Sequence, residues 1–271
     1  MNMNIGYFQK HLHFNTGVHN FWPIYDAIKK YYPIGLKRTE YAIFFDYPGL
    51  KELGDIVADA IHGEENKKFK EWQVFENEIA SKFNVVVNGT TMGQAPSYST
   101  EFILEDEQTA TFRRVKKIVL AVSLVGKFFA IFGIDESYIK HAPEDIPEWL
   151  TGRVWQNGPV WLNHAVNVVT VSPHAEFEPI FNGIKFAVEQ QFEGYKLIPF
   201  RIHCAIIEGL QVRYSDREEC TIFHALFNDK YKLNDNTITR GDAGFGSKDW
   251  ETENAQDFEI EVAIGPPPPI S

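Results

Sequence analysis

His11-Leu12-His13, followed six residues later by His19, is the place in this chain where imidazoles are spaced to share a metal ion. Alternate residues of a strand point to one face, so two such rings can meet a single zinc. A zinc site also needs a further carboxylate or histidine and an outer shell of hydrogen bonds. Neither is identifiable nearby, so His11, His13 and His19 are weak ligand candidates, and no metal or other cofactor is expected. A second constellation is His203, Cys204, Glu208 and His224. If His203 and His224 lie on neighbouring strands, a thiol and an imidazole could meet as nucleophile and base. Cys204, however, sits in an apolar run with no glycine-rich elbow or helix N-terminus to lower its pKa, which predicts a buried, inert thiol.

Two further patterns fail a test of context. Gly241-Asp242-Ala243-Gly244-Phe245-Gly246 is glycine-rich, but no apolar strand precedes it and no Gly-Lys-Ser or Gly-Lys-Thr follows, so a turn is expected rather than a phosphate cradle. Arg240-Gly241-Asp242 within it reads as a loop coincidence. Asp216, Glu218 and Glu219 could form the paired carboxylates of a glycosidase only with a cleft to hold them; otherwise they are a solvated acidic face.

Charge supplies the strongest functional bias. From Ser215 to Ser271 there are twelve Asp or Glu residues against five Lys or Arg, which leaves −7 of the net −11 in the last fifth of the sequence. Such a field repels phosphate backbones and anionic headgroups and favours basic partners. The cluster Arg113, Arg114, Lys116 and Lys117 lacks interleaved aromatics and is read as charge keeping a strand end soluble and unpaired, not as a nucleic-acid patch. No stretch approaches the roughly 18 apolar residues of a membrane span, and the start has no basic region followed by an apolar run. No membrane is therefore expected, and a cytoplasmic location is. Cys204 and Cys220 are too few for a disulfide scaffold and predict reduced, structural thiols.

These residues need elements to position them, and 271 residues at 44% hydrophobic composition suffice for one large domain or two small ones. Tyr41 to Phe45 reads as a short strand closed by Pro48-Gly49. Leu50, Leu53, Ile56, Val57, Ala60 and Ile61 recur at helical spacing, predicting a helix over 50–62 with Gly63 as its C-terminal cap. Phe69, Trp72, Phe75, Ile79 and Phe83 predict a second over 64–83, with Glu64 and Glu65 complementing its N-terminal dipole. The two would sit back to back against strands at 85–87, 98–104 and a hairpin over 115–134, whose turn reads as type II′ with Gly126 leading Lys127. Proline and glycine punctuate 135–159, which predicts a connecting segment at 141–159 between a 1–140 part and a 160–271 part. Beyond it come a strand over 160–171, a helix over 179–192, and strands at 197–207, 210–214 and 220–227. The polar 228–254 stretch is expected to be a functional or mobile loop, 258–264 a half-buried strand, and Pro266 to Pro269 a solvated stop.

The predicted fold class is thus α+β, with mainly antiparallel sheet packed against amphipathic helices. Two functions fit. The first is a non-enzymatic protein-binding or inhibitor protein that holds a basic partner on its acidic surface, as immunity and antitoxin proteins do, although no family motif is present. In it Asp249, Glu251 and Glu253 steer the partner, while Phe245 and Trp250 anchor it. The second is a hydrolase whose metal- or carboxylate-based site is assembled from residues distant in sequence. The first is preferred.

Overall fold

The computed structural model describes residues 5–10, 13–62, 66–140, 161–231, 233 and 237–252. Its helices and strands run, in chain order, α1 (Ile5–Lys10), α2 (Trp22–Tyr31), α3 (Tyr41–Phe45), α4 (Pro48–Ile61), α5 (Lys67–Phe83), β1 (Val86–Gly89), β2 (Ser97–Gln108), β3 (Phe112–Ser123), β4 (Phe128–Lys140), β5 (Trp161–Thr170), α6 (Glu178–Gln191), β6 (Lys196–Leu197), α7 (Phe200–His203), α8 (Ile222–Leu226) and β7 (Ile238–Arg240). The strands form one mixed, mostly antiparallel sheet in the order β1-β2-β3-β4-β5-β7, with β6 beside β4. The fold is α+β as expected. Strands from both sides of residues 141–159 share this sheet, because β4 pairs with β5, Tyr138 opposite His164.

Why β3 and β4 are nearly continuous apolar runs follows from what covers them. Val119, Ala121, Ala130, Phe132 and Ile134 point into one buried cluster with Ile24, Ile28, Phe44, Leu50, Leu53, Phe200, Ile222 and Leu226. Ile118, Leu120, Val122, Phe129 and Ile131 point into another with Trp72, Phe75, Ile79, Phe181, Ile184 and Val188. Helices therefore lie on both faces, α1, α2, α4, α7 and α8 on the first and α5 and α6 on the second. A sheet buried twice loses the alternation of polar and apolar residues that a half-exposed one shows. The helices α4 and α5, expected back to back on one layer, instead cover opposite faces, with Ala60 at the end of α4 reaching the α5 side. Asn66 caps α5 by accepting the Phe69 amide at 2.9 Å. Gly63, Glu64 and Glu65 lie outside the described residues.

Several expected strands are different elements. Tyr41 to Phe45 is helical and buries only Phe44; a five-residue apolar run carries too little periodicity to separate the two. Of 197–207 only Leu197 is strand, paired with Lys196 in β6, and helix α7 starts directly after Pro199. The 220–227 run is helix α8, capped by Thr221: its hydroxyl accepts the His224 amide at 3.3 Å, and His224 Nδ1 accepts the Thr221 amide at 2.9 Å. Histidine stands where a capping box normally carries Glu or Gln, so the sequence signal was disguised. The 210–214 stretch forms no strand.

The β3–β4 hairpin is present, but β3 ends at Ser123 and β4 begins at Phe128, so four residues make the connection, and Gly126 is not in the left-handed region. Glycine is required there for space, since a Cβ would lie 2.2 Å from the Phe128 ring. Arg113, Arg114, Lys116 and Lys117 do not guard an unpaired strand end. Their strand is central, paired to β2 and β4, and each of the four forms an ion pair. The 228–254 stretch is not a plain loop, for it supplies β7 and a 3₁₀ turn at Ser247–Trp250. The expected strand at 258–264 and the Pro266–Pro269 stop lie outside the described residues.

Candidate functional site

The acidic C-terminal residues proposed as an interface divide sharply. Trp250 is only 3% exposed and cannot anchor a partner. Its indole Nε1 donates to the Leu197 carbonyl at 2.9 Å, and its ring packs on Phe21 and Phe128 at 5.4 and 5.9 Å. Phe245 is half-buried, with its ring edge-to-face on Phe181 at 5.7 Å. Both aromatics are therefore committed to the chain's own core. Asp249 and Glu251 are exposed, and the Glu251 backbone bridges to His19. Glu253 lies outside the described residues. Trp250→Phe, which removes the indole donor and leaves the Leu197 carbonyl unpaired, should destabilise the fold by about 2 kcal/mol in urea titration.

The glycine-rich stretch is an ordered turn rather than a phosphate cradle. Gly241 has φ +99°, and a Cβ there would meet Ser172 Oγ at 2.5 Å, the same oxygen that accepts the Asp242 amide at 2.9 Å. His13 is exposed, and His19 stacks on Phe21 at 6.0 Å; His11 lies outside the described residues. Among the described residues no group of three or more His, Cys, Asp or Glu side chains is placed to hold a metal ion.

Asp216, Glu218 and Glu219 do have a cleft. A groove of about 740 Å³ runs between the 35–45 segment and the 209–219 segment, lined among others by Arg38, Tyr41, Phe45, Gln211 and these three acids. Gly35 and Gly209 close its floor, the Gly35 amide donating to the Gly209 carbonyl at 2.9 Å. Arg38 ties the two walls together by bonding Asp216 at 3.0 Å, the Gln211 side chain through its own amide at 2.6 Å, and the Ser215 carbonyl. Glu40, Glu208, Glu218 and Glu219 on or beside the rim are exposed and in no ion pair among the described residues, as against Lys37 and Arg217 of opposite sign. Tyr41, 71% exposed, lines the groove, and Ile43, 60% exposed, belongs to the same short helix. They are exposed because the short α3 turns only Phe44 inward.

The His203, Cys204 and His224 constellation is brought together, but not as a nucleophile and base. All three line a cavity of about 210 Å³ beneath α7 and α8, with Ile5, Phe132, Phe223 and Tyr231. Burial pushes the Cys204 thiol well above its usual range. It also holds His203 down to about 3 and, with a contribution from Arg217, His224 down to about 4. A neutral thiol beside neutral imidazoles is not an activated pair. Glu208 does not join them; it is exposed beside Gly209.

The carboxylate site that a hydrolase would require has its nearest counterpart in two glutamates that the sequence did not single out, joined by a lysine of the basic cluster. On the α1–α4 face, β2, β3 and β4 bring Glu101, Lys117 and Glu136 into a buried diagonal. Lys117 Nζ lies 3.1 Å from Glu101 and 2.5 Å from Glu136. Glu101 also accepts from Lys230 at 3.0 Å, Tyr231 at 3.0 Å and Asn88 at 2.9 Å. Glu136 accepts from Tyr138 at 2.6 Å and pairs with His164 Nε2 at 2.8 Å. Burial alone would raise the Glu101 pKa, but Lys117 and Lys230 outweigh it and hold the carboxyl below its ordinary range. A carboxylate that works as base or nucleophile must turn a free lone pair to substrate. Here four donors occupy one carboxylate and three the other, so the cluster is a clamp across the sheet. Two of its members are not isolated charges in the sequence, because Lys117 stands beside Lys116 and Glu136 beside Asp135; burial of such charges is tolerated only with a partner.

No family model matches this chain, and neither does any curated protein or solved structure. Among the described residues no helix is long and apolar enough to cross a membrane.

Proposed function

We propose that this chain is a protein-binding protein that recognises a basic partner through the groove between residues 35–45 and 209–219, in the manner of immunity or antitoxin proteins. The observation that carries the reading is the exposed Tyr41 lining a groove that Asp216, Glu218 and Glu219 also line, with Ile43, Glu40 and Glu208 exposed in the adjoining segments. Large apolar side chains next to unpaired charges of one predominant sign are the combination that protein recognition uses: aromatic anchors carry the energy while the charged rim sets encounter rate and specificity. The reading keeps the acidic stretch that begins at Ser215 but moves the anchors from Phe245 and Trp250, which the core has taken. The hydrolase reading is weakened by the saturated carboxylates and the inert thiol.

A photo-crosslinking residue at position 43 should capture a positively charged protein from the native host. Tyr41→Ala should then weaken binding of that purified partner by about 2 kcal/mol, mainly through faster dissociation. Glu218→Lys with Glu219→Lys should slow association and flatten its dependence on salt. A partner that binds the Tyr41→Ala, Ile43→Ala protein as tightly as the unaltered one overturns the assignment.

A further inference from the structure

The cavity beneath α7 and α8 carries a further inference; it shares Arg217 and Glu219 with the groove, but its aromatic wall belongs to the cavity alone. Its walls are rings set edge to face: Phe132 meets Phe223 at 5.7 Å and 73°, Tyr231 at 5.4 Å and 85°, and His203 at 5.6 Å and 72°. His203 also contacts Phe223 at 5.3 Å. Rings packed this way on one another hold the shape of the space between them. About 210 Å³ exceeds what a benzene-sized molecule needs, given that an apolar cavity of about 150 Å³ admits benzene.

Two polar groups in this wall are uncommitted. His203 is 1% exposed, and its Nδ1 is buried without a hydrogen-bond partner. Orphaned buried polar atoms are rare and costly enough to need a reason. His224, 8% exposed, has its tautomer fixed by the cap of α8: Nδ1 accepts the Thr221 amide, so the neutral ring carries its proton on Nε2. No acceptor for that proton occurs among the described residues. The pair thus offers a hydrogen-bonding nitrogen and an N–H donor on an aromatic wall. Burial keeps both rings neutral, which disfavours a charged guest.

We propose that this cavity is a binding site for a small, uncharged aromatic molecule bearing one hydroxyl or ring N–H, of the size of phenol or indole. Arg217 and Glu219 line it alongside Thr221. Phenol satisfies what the wall leaves open: its hydroxyl can donate to one imidazole and accept from the other, while its ring fills the aromatic box.

The test titrates the full chain with phenol, indole and toluene, followed by the methyl resonances of Ile5, Ile206 and Leu233. Saturable shifts at these methyls are expected for phenol and indole, with phenol bound at least ~10-fold more tightly than toluene, because a hydroxyl completes polar groups that toluene leaves unpaired. His203→Phe keeps an aromatic ring but removes the polar atoms and should abolish that preference. Leu233→Trp, which fills the site from its rim, should abolish binding altogether and serves if the first variant does not fold. Three results overturn the proposal: no saturable binding, which marks a site for water only; equal affinity for phenol and toluene; or binding that survives Leu233→Trp.

Discussion

Lys117→Ala should cost about 3–5 kcal/mol of folding free energy, the range seen when one partner of a buried ion pair is removed. The loss is large because Glu101 and Glu136 stay behind, 4% and 3% exposed at the side chain, facing each other's charge without the ammonium between them. Lys230, Asn88 and Tyr231 remain as donors to Glu101, and Tyr138 and His164 to Glu136, but none of them bridges the two carboxylates as Lys117 does. Converting both acids as well, in Lys117→Met with Glu101→Gln and Glu136→Gln, should recover much of the deficit, since the uncompensated charge is the costly item. The two variants also differ in acid. Glu101 titrates below its ordinary value when folded, so it contributes stability at neutral pH that is lost as pH falls through that lowered value. Without Lys117 one of the charges that lower the Glu101 value is gone, and this contribution shrinks. Urea unfolding at pH 7 and pH 4 checks both statements; a Lys117→Ala protein as stable as the original sinks them.

The second large effect is loss of stability in mild acid, driven by His203 and His224. Their folded pKa values are depressed to about 3 and about 4, against about 6.5 in an unfolded chain. Below pH 6.5 the unfolded state therefore binds protons that the folded state refuses. The stability is full above pH 6.5 and drains as pH falls toward the folded values, at about 1.4 kcal/mol per pH unit for each imidazole. At pH 5 the two together cost about 4 kcal/mol. His203→Phe should halve the slope between pH 6 and pH 5 if its ring is accommodated. Equal urea midpoints at pH 7.5 and pH 5 would count decisively against the burial of both rings.

How far the sequence foretold this molecule depended on the length of each signal. Leu50 to Ile61, Phe69 to Phe83 and Ile180 to Val188 hold helical spacing for more than two turns, and all three helices are present. The β3–β4 hairpin was equally plain, since only a strand buried on both faces tolerates so continuous an apolar run. Short apolar stretches misled. Tyr41–Phe45 and Ile222–Leu226 are single helical turns too short for period to reveal; the second is set by its Thr221 cap, while the first has no side-chain cap. The charged clamp was invisible for another reason. Glu101, Lys117 and Glu136 are 16 and 19 residues apart along the chain, and only the sheet register brings them together. Trp250 was misjudged because its neighbours Asp249 and Glu251 are exposed; one side chain of a 3₁₀ turn points inward while those beside it face water.

The first helices of this chain are completed by its last described residues, and that sets an order on biosynthesis. Asn20 donates its amide to the Trp250 carbonyl, Thr252 to that of Val18, and Tyr32 its hydroxyl to the Ala225 carbonyl, the last at 2.7 Å. As the ribosome releases Phe21, Ile24, Ile28, Phe44 and Leu50, the surfaces that will cover them do not yet exist. Contacts so far apart in sequence form slowly, because the intervening chain must first be ordered. This apolar side therefore waits on translation through α8 while the hairpin of β3 and β4 can already form, and until α8 emerges the nascent chain presents a sticky face to chaperones.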